Sequence, residues 1–201
     1  ARPGMASPDR MIAMQNAIKD EDLARVRLLL KAGVPAAGEV DRFPFLRLAA
    51  MLCKEEIFDL LLSHGAPITA PRLLDWAVDG GGGRMRPSIR IVQRILSEVP
   101  HDTQALTSGL RFACVSGSVD VVQLLLERGA DPNGFYDRHE PSPLSNAVRH
   151  GHPEIVRVLL NAGADPTWPA WDEDENELSE TWTLVDLAVR DAHVDQERAH
   201  R

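Results

Sequence analysis

The feature that most constrains this chain is a phrase that occurs twice. Ser118-Val-Asp-Val-Val-Gln-Leu-Leu-Leu-Glu-Arg-Gly-Ala-Asp-Pro132 returns as His152-Pro-Glu-Ile-Val-Arg-Val-Leu-Leu-Asn-Ala-Gly-Ala-Asp-Pro166, a shift of 34 residues. Self-similarity at that period is the mark of stacked supersecondary units, each touching only its neighbours, instead of one closed core. The 201 residues therefore read as one elongated repeat array, not as two ordinary domains.

The unit at 142–166 shows how each repeat is punctuated. Pro143 stands where a first helical turn tolerates a missing amide, and Gly163 stands where a helix end needs a left-handed residue. Between them, Ser142 to Val148 predicts a short helix, Arg149 to His152 a turn, and Pro153 to Asn161 a second helix. Ile155, Val156, Val158, Leu159 and Leu160 fall at helical spacing, so one face of that helix is expected to be buried.

These residues resemble the ankyrin-repeat family, whose pattern runs Thr-Pro-Leu-His-x-Ala-Ala, then Gly-His, then an apolar helix closing in Gly-Ala-Asp. Residues 142–166 carry nearly the whole pattern, and 108–132 supply Ala113-Cys114, Gly117, Val121-Val122, Leu124 to Leu126 and Gly129-Ala130-Asp131. Residues 44–66 give Leu46, Leu48 to Ala50, Ile57, Leu60 to Leu62 and Gly65-Ala66, with Cys53 where glycine is usual. Residues 12–34 give a first unit with Glu21-Asp22 in place of Gly-His. A third unit at 72–99 is degenerate: Leu73 to Val78 and Ile89 to Leu96 predict its helices, with Gly80 to Gly83 and Arg84 to Ser88 expected as a loop between them. Thr183 to Val189 reads as the first helix of a capping unit, 183–193, before a polar tail at 194–201. Residues 1–4 read as a cloning remnant, with Met5 as the natural start and 1–11 as a lead-in to a single array at 12–193. The resemblance implies an all-α solenoid of helix-turn-helix units with hairpin fingers, its first helices and fingers lining a concave groove that binds a protein partner.

Where packing dictates the residue, function is not encoded, so the candidates lie where the chain departs from the pattern. The finger before unit five holds Phe135, Tyr136, Arg138 and His139, and aromatic and arginine residues on a loop are typical interface anchors. The finger before the cap runs Trp168 to Trp182, includes Trp171 and a run of acidic residues, and pairs charge attraction with apolar anchoring toward a basic segment. The resemblance further places Met51, Leu52, Asp79, Val115, Ser116, Arg149, His150, Arg190 and Asp191 on the groove strip, with Trp76 and Arg111 nearby.

Charge and motifs narrow the rest. A net charge of −8 argues against nucleic acid or an anionic membrane as the partner and favours a protein with a basic segment. Cys53 and Cys114 lie in apolar helical segments, where a thiol behaves as a small hydrophobe, and form no disulfide framework. No apolar run reaches a membrane span and the start has no signal-peptide core, so the expected compartment is cytosolic or nuclear. The glycine run lacks the Lys-Ser or Lys-Thr pair and preceding strand of a phosphate loop, and no metal-ligand spacing is present beyond His150-Gly-His152, whose second histidine belongs to the turn. No cofactor is expected, and a monomer is the default. The alternative is a small-molecule enzyme or isomerase with a pocket around unit three, drawing on Asp75, Asp79, Arg111, Tyr136, His139, Arg149 and His150 around Trp76.

Overall fold

The computed structural model describes residues 7–68, 72–83, 86–134, 141–167, 169–171 and 178–183. They form two compact units, one within Ala1–Pro100 and one within His101–Arg201. The first contains α1 (Pro8–Lys19), α2 (Leu23–Lys31), the hairpin β1 (Glu39–Val40) and β2 (Phe43–Pro44), α3 (Phe45–Met51), α4 (Glu55–Ser63), α5 (Leu73–Gly83) and α6 (Ile89–Glu98). The second contains α7 (Thr103–Ser116), α8 (Val119–Glu127), α9 (Pro143–Arg149), α10 (Pro153–Asn161) and the strands β3 (Pro169–Trp171) and β4 (Leu178–Thr183). The expectation of an all-α fold of helix pairs with hairpin fingers holds in both units.

Stacking follows the repeat. In the first unit α1 packs on α3 and α3 on α5, while α2 packs on α4 and α4 on α6. In the second, α7 packs on α9 and α8 on α10. Met14, Ile18, Phe45, Ile57, Phe58, Leu61 and Ile95 fill the first core, and Leu110, Leu125, Ile155 and Leu159 the second, all essentially without solvent exposure. Removing the side chain of any one of these costs about 2–5 kcal/mol, the transfer energy plus the cavity left behind.

The Gly-Ala signature has a geometric cause. After α2, α4, α8 and α10 the chain turns at Gly33, Gly65, Gly129 and Gly163, with φ of 84°, 86°, 95° and 91°. The next amide, of Val34, Ala66, Ala130 or Ala164, bonds back five residues to the carbonyl of Leu29, Leu61, Leu125 or Leu159 at 3.0 Å in each case. This is the Schellman closure, and its accompanying apolar contact explains why the residue after each glycine is small, apolar and buried.

Two sequence expectations need correction. Gly80 to Gly83 are not a loop: α5 continues to Gly83, with Gly80 at φ 55°. Glycine costs about 1 kcal/mol per residue against alanine in a helix. The helix persists because Leu73, Leu74, Ala77 and Val78 bury its first two turns. Cys53 is not helical either; it follows α3 at φ 54°, in the turn. The helix α7 begins at Thr103, where the Asp102 carboxylate caps it by accepting the Ala105 amide at 2.7 Å.

The β1–β2 finger pairs Glu39 with Pro44 and Val40 with Phe43. Asp41 and Arg42 form its tip at φ 52° and 63°, the geometry of a two-residue type I′ turn. The longer finger expected before the cap contains an antiparallel pair, Pro169 opposite Thr183 and Trp171 opposite Leu178. The capping helix expected at 183–193 lies outside the described residues beyond Thr183.

Candidate partner-binding surface

In the first unit, three side chains from three elements meet. Phe43 comes from the second strand of the finger, Arg47 from the first turn of α3, and Trp76 from α5. The two rings make an edge contact, with centroids 6.4 Å apart and planes at 67°. The Arg47 guanidinium lies over both, 4.1 Å from the Phe43 centroid and 3.7 Å from that of Trp76, in the V between them. All three side chains are half-buried. A cation held over aromatic faces gains about 0.5–2 kcal/mol, the more so as water is excluded.

This arginine has unusual electrostatics. Burial pulls its pKa below the ordinary value, and its Nε atom is buried without a hydrogen-bond partner. No carboxylate among the described residues pairs with it. Elsewhere in the unit, Arg72 pairs with Asp75 at 2.8 Å, Arg90 with Asp59 at 2.6 Å and Glu55 at 3.5 Å, Arg94 with Glu98 at 2.9 Å, and Lys54 with Glu21.

Trp76 is one of the residues named from the sequence for a partner surface, and its contacts with Phe43 and Arg47 are not among those expected. The available signal was Arg47 itself, a charged residue one step after Leu46 and one before Leu48 in an otherwise apolar helix. Asp75, named as an acid for the alternative enzyme, is buried and held by Arg72, while Asp79 is half-buried further along α5.

In the second unit, Arg111 lies half-buried on α7, Arg149 is the half-buried last residue of α9, and His150 is the exposed cap that follows it. The His150 ring stacks on that of His152, with centroids 6.4 Å apart and planes at 15°. His152 donates from Nε2 to the Val115 carbonyl at 3.1 Å, which ties one turn to the preceding one. Gly117 makes room for the ring: a Cβ there would come within 2.6 Å of Cε1 of His152. The same turn-to-turn link recurs in the first unit with other chemistry, as Lys54 to Glu21 and as the Cys53 thiol donating to the Arg86 carbonyl at 3.2 Å.

A second ladder runs along the loops after the outer helices. Asn133 donates from Nδ2 to the Gly163 carbonyl at 2.9 Å and accepts the Asp165 amide at 2.7 Å. Asp165 in turn accepts from the Thr167 amide and hydroxyl at 2.8 and 2.7 Å, and these bonds hold its carboxyl below the usual range. Phe135, Tyr136, Arg138, His139 and Trp168 lie outside the described residues; Trp171 belongs to β3. Among the described residues no three His, Cys, Asp or Glu side chains gather as a metal site requires, and no helix is long and apolar enough to cross a membrane.

The family model for ankyrin repeats matches three copies across residues 85–168. Over that stretch the chain is similar to ankyrin repeats. No curated protein matches the sequence. Ankyrin repeats are general protein-interaction modules, which makes protein partners the expected ligands of such a chain.

Proposed function

We propose that the chain is an adaptor or inhibitor, working as a monomer in the cytosol or nucleus, that docks a protein partner on the side formed by its fingers and first helices. The array extends from 12 to 193, and it uses no cofactor. The observation that carries this reading is the cluster of Phe43, Arg47 and Trp76: two large aromatics and an arginine, half-buried, on a finger and two first helices. Those residue types dominate the energetics of protein interfaces. Tyr136, Arg138 and Trp171 provide further anchors, and the acidic run after Trp171 attracts a basic segment of the partner. Affinity follows from preorganisation, since the packing of α3 on α5 and the contacts within the cluster hold Phe43, Arg47 and Trp76 together before binding and little entropy is lost.

Affinity capture from the native source, with wild-type chain beside a variant carrying Tyr136→Ala, Arg138→Ala and Trp171→Ala, tests the reading. A specifically retained protein that the variant releases, at unchanged melting temperature, is the expected result. Equal retention by both chains refutes the placement of these anchors.

A further inference from the structure

We infer that the Phe43–Arg47–Trp76 cluster is a receptor for a single carboxylate side chain, Asp or Glu, carried beside an apolar residue in the partner's docking segment. The inference rests on the protein-binding reading above and names the chemistry of one of its contacts.

The argument begins with what Arg47 lacks. A half-buried guanidinium ordinarily acquires a carboxylate, because partial desolvation is costly unless an opposite charge offsets it. Arg47 has none among the described residues, although Asp75 sits one residue before Trp76, because Asp75 is held by Arg72. The two rings compensate in part, with the guanidinium carbon 4.1 and 3.7 Å from their centroids, but they carry no full negative charge. Among the guanidinium's N–H groups Nε is buried without an acceptor, and a guanidinium with no carboxylate partner can receive one in two parallel hydrogen bonds. The flanking faces of Phe43 and Trp76 then offer apolar surface to the residue next to the acid.

Charge selects carboxylate over phosphate. A phosphoserine carries about −1.5 to −2 at neutral pH. The stacked site supplies one cation, and the neighbouring Arg72 is already neutralised. A monoanion matches that count. The contact is local and compatible with a partner that is basic overall, as the acidic run following Trp171 calls for.

The test pans a random dodecamer phage library on the whole chain and resynthesises the selected peptides for titration against wild type, Arg47→Gln, Arg47→Lys and, as a control, Arg25→Gln on the exposed face of α2. The expected result is peptides sharing an Asp or Glu next to an apolar residue. Their binding weakens about tenfold or more with Arg47→Gln, also falls with Arg47→Lys, and is unchanged with Arg25→Gln. The Arg47 Nε–H resonance moves on titration with these peptides, and melting of each variant shows that the fold is retained. Selected peptides without an acidic residue, or binding indifferent to Arg47, overturn the carboxylate assignment and leave the interaction reading standing. Failure to select any peptide refutes both. A phosphoserine at the acidic position that binds tenfold more tightly than Asp also overturns it, in favour of a phosphopeptide.

Discussion

Gly117→Ala tests the turn-to-turn link at the point where two demands fall on one residue. Gly117 has φ 74°, where an L-residue costs about 1–2 kcal/mol. An alanine Cβ there would also sit 2.6 Å from Cε1, 2.9 Å from Nε2 and 3.0 Å from Nδ1 of His152, closer than atoms approach. The backbone cannot yield without disturbing the Gly117 and Ser118 amides that cap α7 on Ala113 O at 3.1 and 3.3 Å. The His152 ring yields instead, and swinging aside it gives up its 3.1 Å bond to Val115, worth about 1 kcal/mol. The sum is about 2–3 kcal/mol of lost stability. Urea unfolding followed by circular dichroism measures it, and the His152→Ala background separates the two parts. There the ring is gone and Gly117→Ala should cost only the left-handed penalty, about 1–2 kcal/mol. A penalty of equal size in both backgrounds would refute the steric coupling, and a change under about 0.5 kcal/mol in the wild-type background would refute the whole argument.

Three further outcomes follow from local electrostatics and burial. Burial raises both thiols, and Cys114 is wholly enclosed while Cys53 is half-exposed in its turn, so a thiol reagent at pH 8 should label Cys53 slowly and Cys114 only on unfolding; labelling of both at the rate of a free thiol contradicts this. Asp165 is stabilised as the anion by Thr167, so its contribution is complete above the ordinary carboxylate pKa and disappears as pH falls through the lower folded value; an NMR titration should place its midpoint below that of a free aspartate, and Thr167→Ala should raise it. Arg72→Ala leaves the mostly buried Asp75 carboxylate unpaired beside Trp76, which should destabilise the chain by about 1–2 kcal/mol in thermal unfolding and weaken binding of acidic peptides at Arg47; unchanged melting refutes the pairing.

The helix pairs were legible because packing and capping repeat with the period of the sequence. Leu159 and Gly163 recur as Leu125 and Gly129 for reasons of burial and backbone angle that depend only on near neighbours. Departures were less legible. The extension of α5 through Gly83 runs against glycine's helix propensity and is decided by the burial of Leu73 to Val78, a tertiary effect. The start of α7 is signalled by Asp102-Thr103, a capping pair that lies before the repeat pattern at 108–132. Of the candidate site, Trp76 could be picked out, but Phe43 and Arg47 could not. Their meeting depends on the finger's type I′ tip and on the packing of α3 against α5, neither of which a linear pattern encodes.

The position that Arg47 occupies shows why variation in this fold is informative. It is the third residue of α3; the third residue of α5 is Asp75 and that of α9 is Ser145. One geometrical site thus holds a stacked cation, a buried anion tied to Arg72, and a buried hydroxyl whose Oγ lacks a partner. The residue before it, Leu46, Leu74 or Leu144, is buried and apolar in each of these three repeats, whereas the residue after it varies from Leu48 to Trp76 to Asn146. Packing sets the preceding residue and leaves the third position to chemistry. A fold that fixes backbone register while freeing one column in this way can change the ligand a repeat accepts without disturbing the stack. Arg47 is the member of that column whose charge is left for something outside the described chain to satisfy.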